Sequence, residues 1–305
     1  MENFIITIFY LFLGIFFRRL GKFPESFANS LNLFVIYISL PALVLLKIPE
    51  MALGSELFFV ALLPWIMVLV SAGAVLAISK MLNWPKPLTG CLLLMIPLGN
   101  TSFLGIPMVK AFFGDAAISY AVIYDQLGSF LALATYGTFI LAIYGKTGKT
   151  APGVREIITK IATFPPFIAL VTAFLVRDLD YPHVARQILE SLGGTLVPLV
   201  MIAVGYQLRL KVEPGGLVPL SVGLGLKLVF APLSALLLVR LLGLDGQPAQ
   251  VAVFEAGMPP MVSAGALAIL TDLAPRLTAA LVGLGIFLSF LTLPVMYKLI
   301  ELVIG

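Results

Sequence analysis

Three ionisable residues, Asp125, Lys227 and Glu255, lie deep within apolar runs of the chain. A charged side chain at the centre of a membrane helix costs roughly 2.5–3.5 kcal/mol on insertion scales, so such residues are candidates for a function. Two interpretations stay open. In the first, one of the two carboxylates, Asp125 or Glu255, takes up and releases a proton or a sodium ion. In the second, the lysine and the two carboxylates neutralise one another and only hold their helices together.

Two further apolar runs, at residues 96–107 and 255–265, are interrupted by prolines, glycines and polar residues. Proline inside a helix removes an amide donor and costs about 3 kcal/mol, and irregular backbone at membrane depth is tolerated only where it is buried in protein or lines a cavity. We expect two broken helices here, with ordinary proline kinks as the alternative. Free amides at half-helix N-termini favour a carboxylate ligand. The predicted substrate-binding residues are Gly99, Asn100, Thr101, Ser102, Gly105, Pro107, Gly257, Met258, Pro259, Pro260 and Ser263.

The composition indicates a membrane protein, because 60% of the 305 residues are hydrophobic and 11% are charged, whereas about a quarter of a soluble domain is charged. The single histidine, His183, and the single cysteine, Cys91, are too few for a zinc site, and there is no catalytic motif. We therefore predict no enzyme activity, no resident metal, no cofactor beyond a coupling H⁺ or Na⁺, and no nucleic-acid partner.

Ten apolar runs approach the roughly 20 residues that a membrane-spanning helix needs. The connections after odd-numbered runs carry 12 Lys and Arg residues, against 6 in the even-numbered connections and near the C-terminus. This bias predicts that both termini lie outside the cell membrane. The runs are near Glu2–Phe17, Leu31–Leu46, Leu57–Ile78, Leu88–Phe113, Ala116–Tyr144, Ile157–Val176, Ile188–Leu208, Leu217–Leu242, Ala249–Leu270 and Leu277–Ile300.

A shift of 160 residues aligns runs 3, 4 and 5 with runs 8, 9 and 10, and the best match sets residues 129–133 against residues 289–293. Chance similarity of leucine-rich segments is the alternative. Because each half would hold five spans, the second half must enter the membrane in the opposite orientation. We therefore predict an all-α polytopic membrane protein of ten helices, as a 5+5 inverted repeat (1–147 and 155–305) with broken, crossing helices 4 and 9. Inverted repeats are typical of secondary transporters.

Several of these motifs resemble the auxin efflux carrier family, which includes the plant PIN carriers and short prokaryotic relatives within the bile acid/auxin/arsenite transporter superfamily. The segments that carry the resemblance are Gly99–Pro107, Lys227–Pro232, Glu255–Pro260 and Leu293–Pro294. The chain departs from plant PINs by lacking their long central loop and by having Glu255 in place of a neutral residue.

The resemblance implies one transporter domain with two subdomains, usually in a homodimer. The scaffold would comprise about residues 1–50 and 155–212, and the transport subdomain, about 55–147 and 215–305, would move as an elevator. It also implies that Asn100 contacts a substrate carboxylate, and residues 255–258 resemble a sodium-binding motif of bile acid symporters. The expected function is secondary transport of mono- or dicarboxylates. A sodium-coupled symporter of larger amphipathic anions is the alternative, and a channel is a third.

Overall fold

The computed structural model describes residues 2–51, 54, 56–145, 153–208 and 216–305. Within these ranges the chain is helical, apart from turns and one isolated β-bridge. The helices are α1 (Glu2–Leu20), α2 (Phe27–Lys47), α3 (Glu56–Met81), α4 (Lys86–Met95), α5 (Thr101–Phe113), α6 (Asp115–Tyr144), α7 (Val154–Ala162), α8 (Pro165–Leu175), α9 (His183–Gln207), α10 (Leu217–Leu241), α11 (Gly246–Ala256), α12 (Val262–Leu270) and α13 (Pro275–Ile304).

Seven of the helices in the described ranges are long and apolar enough to cross a membrane, and α7 with α8 would form an eighth span across a 66° bend. The prediction of an all-helical, multi-pass membrane protein is therefore confirmed. The predicted spans 4 and 9 are each divided into two short helices, α4 with α5 and α11 with α12. The division of the chain into ten spans in a 5+5 arrangement stays a prediction.

Helix boundaries recur along the chain at the spacing found in the sequence. Helix α13 begins and ends 160 residues after α6, and α11 begins 160 residues after α4. In both parts a long helix precedes a pair of short helices, and a second long helix follows them. Equivalent elements therefore follow one another in the same order in the two parts of the chain.

Several helices contain π-helical segments, in which the backbone is wider than in an α-helix. Three of these segments, Val35–Ser39, Thr101–Gly105 and Leu226–Phe230, end two residues before a proline. Proline lacks an amide hydrogen and its ring collides with the carbonyl four residues earlier in a regular helix. A π turn relaxes this register, so the helix continues past the proline with a local distortion.

The chain forms two compact units, of which the first comprises Met1–Ser55, Ser102–Val122 and Ile158–Leu208. Its most extensive helix pair is α1 with the Leu196–Gln207 part of α9. Two glycines allow these helices to approach closely. A Cβ atom on Gly14 would lie 2.1 Å from the carbonyl oxygen of Ile202, and one on Gly205 would lie 2.1 Å from that of Leu11. Both atoms in the way belong to the backbone, which cannot rotate aside.

We expect Gly14→Ala and Gly205→Ala each to lower stability by about 1–3 kcal/mol, because overpacking forces the helices apart. The measurement is thermal unfolding of the purified protein in detergent. Gly73→Ala is the matched control, since Gly73 lies within α3 with no atom within 4 Å of the added Cβ. That change should be neutral or stabilising, because alanine favours a helix over glycine by about 1 kcal/mol. Equal melting of Gly14→Ala and the control would contradict the close packing.

The second unit comprises Glu56–Thr101, Ile123–Ile157 and Arg209–Gly305. Helices α4 and α11 lie in its interior, where every residue from Thr89 to Met95 and from Val251 to Ala256 is buried. Burial on all sides explains why most residues of these stretches are apolar, and it makes the buried carboxyl group of Glu255 an exception. Around them pack α3, α10, α12, α13 and the later part of α6. The breaks that follow α4 and α11 are therefore buried in protein.

Candidate functional site

The two predicted helix breaks pair with each other inside the second unit. The amide of Asn100 donates to the carbonyl of Pro259 at 2.8 Å, and the amide of Met261 donates to the carbonyl of Leu98 at 3.0 Å. Gly99 lies opposite Pro260 in an antiparallel β-bridge. Each break thus supplies hydrogen-bond partners that the other break lacks, as buried backbone requires.

The side chain of Asn100 lies at this paired segment and is 2% exposed. Its Nδ2 atom has no hydrogen-bond partner among the described residues. An amide nitrogen carries two donors, and a buried donor without a partner costs about 1–3 kcal/mol. The site therefore presents a donor that is available to a ligand.

Asp125 lies in the π-helical segment Tyr124–Phe130 of α6. Two hydrogen bonds hold its side chain. Its carboxylate accepts from the hydroxyl of Thr101 at 2.6 Å and from Nε2 of Gln126 at 2.6 Å. The first of these bonds joins the first residue of α5 to the middle of α6. Thr101 and Asp125 are predicted separately from the sequence, but neither their contact nor the part played by Gln126 is apparent from it.

Lys227 and Glu255 lie near each other in the same unit. Lys227 is in the π-helical segment of α10, and its Nζ donates to the carbonyl of Ala256 at 3.4 Å. A Cβ atom on Gly99 would lie 3.2 Å from this Nζ, so the absence of a side chain at Gly99 lets the ammonium group approach the break. The charges of Asp125 and Lys227 both act on the carboxyl group of Glu255.

Glu255 is fully buried near the C-terminal end of α11, and neither carboxylate oxygen has a hydrogen-bond partner among the described residues. A cavity of about 10 Å³ adjoins this side chain, which is space for about one water-sized particle. Oxygen-bearing side chains and Lys227 share its wall, which includes Thr101, Tyr124, Ser129, Lys227 and Glu255. The unpartnered carboxylate oxygens of Glu255 beside a small cavity could bind a proton or a small cation. The positive charge of Lys227 would repel the cation.

The remaining predicted site residues have varied positions. Gly257, Met258, Pro259 and Pro260 are buried in the second break, whereas Ser263, on the first turn of α12, is exposed. The first amides of any helix lack partners within that helix, and no side-chain cap supplies one at the start of α12.

Three predicted site residues belong to the first unit. Ser102 is half-buried, and Gly105 and Pro107 are buried. Gly105 ends the π turn of α5, and Pro107 is the second residue of the α-helical part that follows it. Pro107 lines a separate cavity of about 200 Å³ with Tyr10 and Lys110.

Three polar residues that line the buried cavity, Ser71, Tyr124 and Ser129, are not among the residues predicted from the sequence. Ser129 had a usable signal, because it belongs to the segment that repeats at residue 289. Tyr124 had none, since an aromatic residue in an apolar run is typical of any membrane helix.

Comparison with known proteins agrees with a transport function. The membrane transport protein family matches residues 1–297 of the chain. An uncharacterized transporter from Methanocaldococcus jannaschii is 28% identical over 289 residues, which are 92% of each chain. An uncharacterized transporter from Methanothermobacter thermautotrophicus is 27% identical over 296 residues, which are 96% of each chain.

These matches extend over nearly the whole chain, so they include both helix breaks and the charged cluster. They also confirm the resemblance to the auxin efflux carriers and their short prokaryotic relatives, and they indicate a transporter and not an enzyme. The chain belongs to the membrane transport protein family.

Proposed function

We propose that this transporter is a secondary carrier of small organic anions, such as mono- or dicarboxylates. The observation that carries the proposal is the buried, unpartnered amide nitrogen of Asn100 beside two paired helix breaks. A neutral donor binds a carboxylate without the strong attraction of a fixed cation, and release is therefore fast. Residues Gly99 to Thr101 and Gly257 to Pro260 would surround the carboxylate, and Ser102, Gly105, Pro107 and Ser263 remain predicted members of the site.

The mechanism that we propose is an elevator, in which a transport subdomain carries the substrate past a scaffold within a homodimer. Broken helices buried in one compact unit support this proposal, because the segments of a substrate site that moves must keep their mutual contacts. The scaffold comprises about residues 1–50 and 155–212, and the two halves of the chain have opposite orientations. Both termini lie outside the cell membrane, as the distribution of Lys and Arg predicts.

We also propose that transport is coupled to H⁺ or Na⁺ through Glu255. Its carboxylate oxygens lack partners among the described residues and adjoin a cavity for one small particle. If sodium is the ion, the oxygens of Glu255, Thr101, Ser71 and Ser129 in the wall of this cavity are candidate ligands, and binding would take place against the charge of Lys227. A sodium-coupled symporter of larger amphipathic anions is the second candidate function, and the same residue supports it.

Counterflow in proteoliposomes tests these proposals. We expect accelerated exchange of a labelled mono- or dicarboxylate when the same unlabelled anion is inside, with a dependence on pH or sodium. A panel of carboxylates of increasing size, with bile acids as the largest members, separates the two candidate functions. Exchange limited to bile acids and other large amphipathic anions would reject the first candidate. Unitary currents across a planar bilayer, without counterflow, would reject a carrier in favour of a channel.

A further inference from the structure

Helix α7 lies apart from the packed interior of the protein. None of its residues is buried, and the apolar side chains of Val154 and Ile158 are 74% and 59% exposed. It precedes the apolar helix α8, from which it is bent by 66°. A bend of this size turns the axis of α7 well away from that of α8, so α7 lies closer to the membrane plane wherever α8 is steep in the bilayer.

The residues of α7 are divided between two faces. With 100° between successive residues, the apolar side chains occupy an arc of about 140° and the polar side chains occupy the rest. Such a division is typical of a helix that lies at a boundary between apolar and aqueous surroundings. The apolar residues are Val154, Ile157, Ile158, Ile161 and Ala162, and the polar residues are Arg155, Glu156, Thr159 and Lys160.

The basic residues of α7 border its apolar face. Arg155 lies about 20° beyond one edge of the arc and Lys160 about 60° beyond the other, while Glu156 lies on the opposite side. Long basic side chains place their methylene groups along apolar surface and their charges at the polar level. The sequence just before α7 adds two lysines, Lys146 and Lys149. This arrangement is complementary to the anionic surface of a phospholipid bilayer.

We propose that α7 lies in the membrane surface and binds anionic phospholipid through Arg155 and Lys160. Its apolar face enters the boundary between headgroups and acyl chains, at a depth of about 5–10 Å. A second protein chain is a poorer occupant, because five apolar side chains supply far less than the roughly 800 Å² per partner of a stable interface.

The position of α7 in the chain gives this attachment a consequence. A segment of the second unit ends at Ile157 and a segment of the first unit begins at Ile158, so the backbone passes from one unit to the other within this helix, as it does at four other points in the chain. The lipid attachment that we propose therefore lies at one of these crossings.

The test of immersion uses a spin label at position 158 of the full-length protein, with position 156 as the matched control on the polar face. Both cysteines are introduced in a Cys91→Ser background, since Cys91 is the only native cysteine. The protein is placed in phosphatidylcholine vesicles that contain phosphatidylglycerol. We expect the label at 158 to collide more with dissolved oxygen than with a water-soluble nickel complex, and the label at 156 to show the reverse. Strong nickel collisions at both positions, or protection of position 158 from both reagents, would overturn the proposal.

The test of lipid charge compares these vesicles with pure phosphatidylcholine. Each basic residue near an anionic surface contributes about fivefold to binding at low ionic strength. We therefore expect phosphatidylglycerol to reduce nickel collisions at position 158. In the Arg155→Gln/Lys160→Gln variant, the gain in binding of α7 to the bilayer that phosphatidylglycerol gives over pure phosphatidylcholine should fall about twenty-five-fold. Lys298→Gln, a change at an exposed lysine near the end of α13, should keep the response. A full response in the double variant, or no response in the parent, would overturn the role of anionic lipid.

Discussion

Replacing Asn100 by alanine should weaken substrate binding by about ten- to a hundredfold. A hydrogen bond to a charged group contributes about 1.5–3 kcal/mol, and Nδ2 of Asn100 is a buried donor without another partner among the described residues. The same substitution removes an unsatisfied polar group, so the substrate-free protein should be equally stable or more stable. Affinity and melting temperature, measured together on the purified protein, check both parts.

The matched control for this substitution is Asn32→Ala, which removes a half-buried asparagine from α2 in the first unit. Affinity should be unchanged in the control. Asn100→Asp keeps the size of the side chain and replaces the donor by an acceptor, so it should weaken carboxylate binding more than alanine does. Unchanged affinity in Asn100→Ala would remove Asn100 from the binding site. Loss of both affinity and stability would indicate an amide that serves packing.

Replacing Glu255 by glutamine should abolish the ion dependence of transport while counterflow persists. Glutamine has nearly the same shape but cannot take up a proton or offer a carboxylate to sodium. The loss should be complete if Glu255 is the coupling group, because the charge that changes during the cycle is then absent. The measurement is counterflow in proteoliposomes at several pH values, with and without sodium.

Two comparisons separate coupling from packing at this position. Glu301→Gln, at an exposed residue that accepts from Lys298, should leave the ion dependence unchanged. Asp125→Asn should leave the dependence in place but lower stability, since the carboxylate of Asp125 accepts from Thr101 and Gln126. A Glu255→Gln protein that folds and keeps the ion dependence of the parent would assign Glu255 to structure.

The helix breaks could be predicted from the sequence because proline and glycine act locally. A proline removes one donor and blocks one turn whatever surrounds it, so α4 and α11 end within a few residues of the predicted positions. Long apolar helices could also be predicted from the sequence, because the thickness and apolar nature of the bilayer set their length and composition.

Features that depend on neighbours in space could not be predicted in this way. The π-helical segment Tyr124–Phe130, which holds Asp125, is not followed by a proline and so has no residue signature, unlike the segment of Lys227, which precedes Pro232. The predicted span from Ile157 to Val176 contains a 66° bend between α7 and α8, and the hydrophobicity of the run does not specify that bend. The contact between Thr101 and Asp125 joins residues 24 positions apart, and charge patterning does not specify such pairs.

The paired helix breaks also constrain how the protein is made. The carbonyl of Leu98 and the amide of Asn100 find their partners at Met261 and Pro259, about 160 residues later in the chain. At a synthesis rate of about 5–20 residues per second, the ribosome needs roughly 8–32 s to produce them. During that interval the first break is already made while its backbone groups lack their final partners, so the core of the second unit closes only after nearly the whole chain has been synthesised.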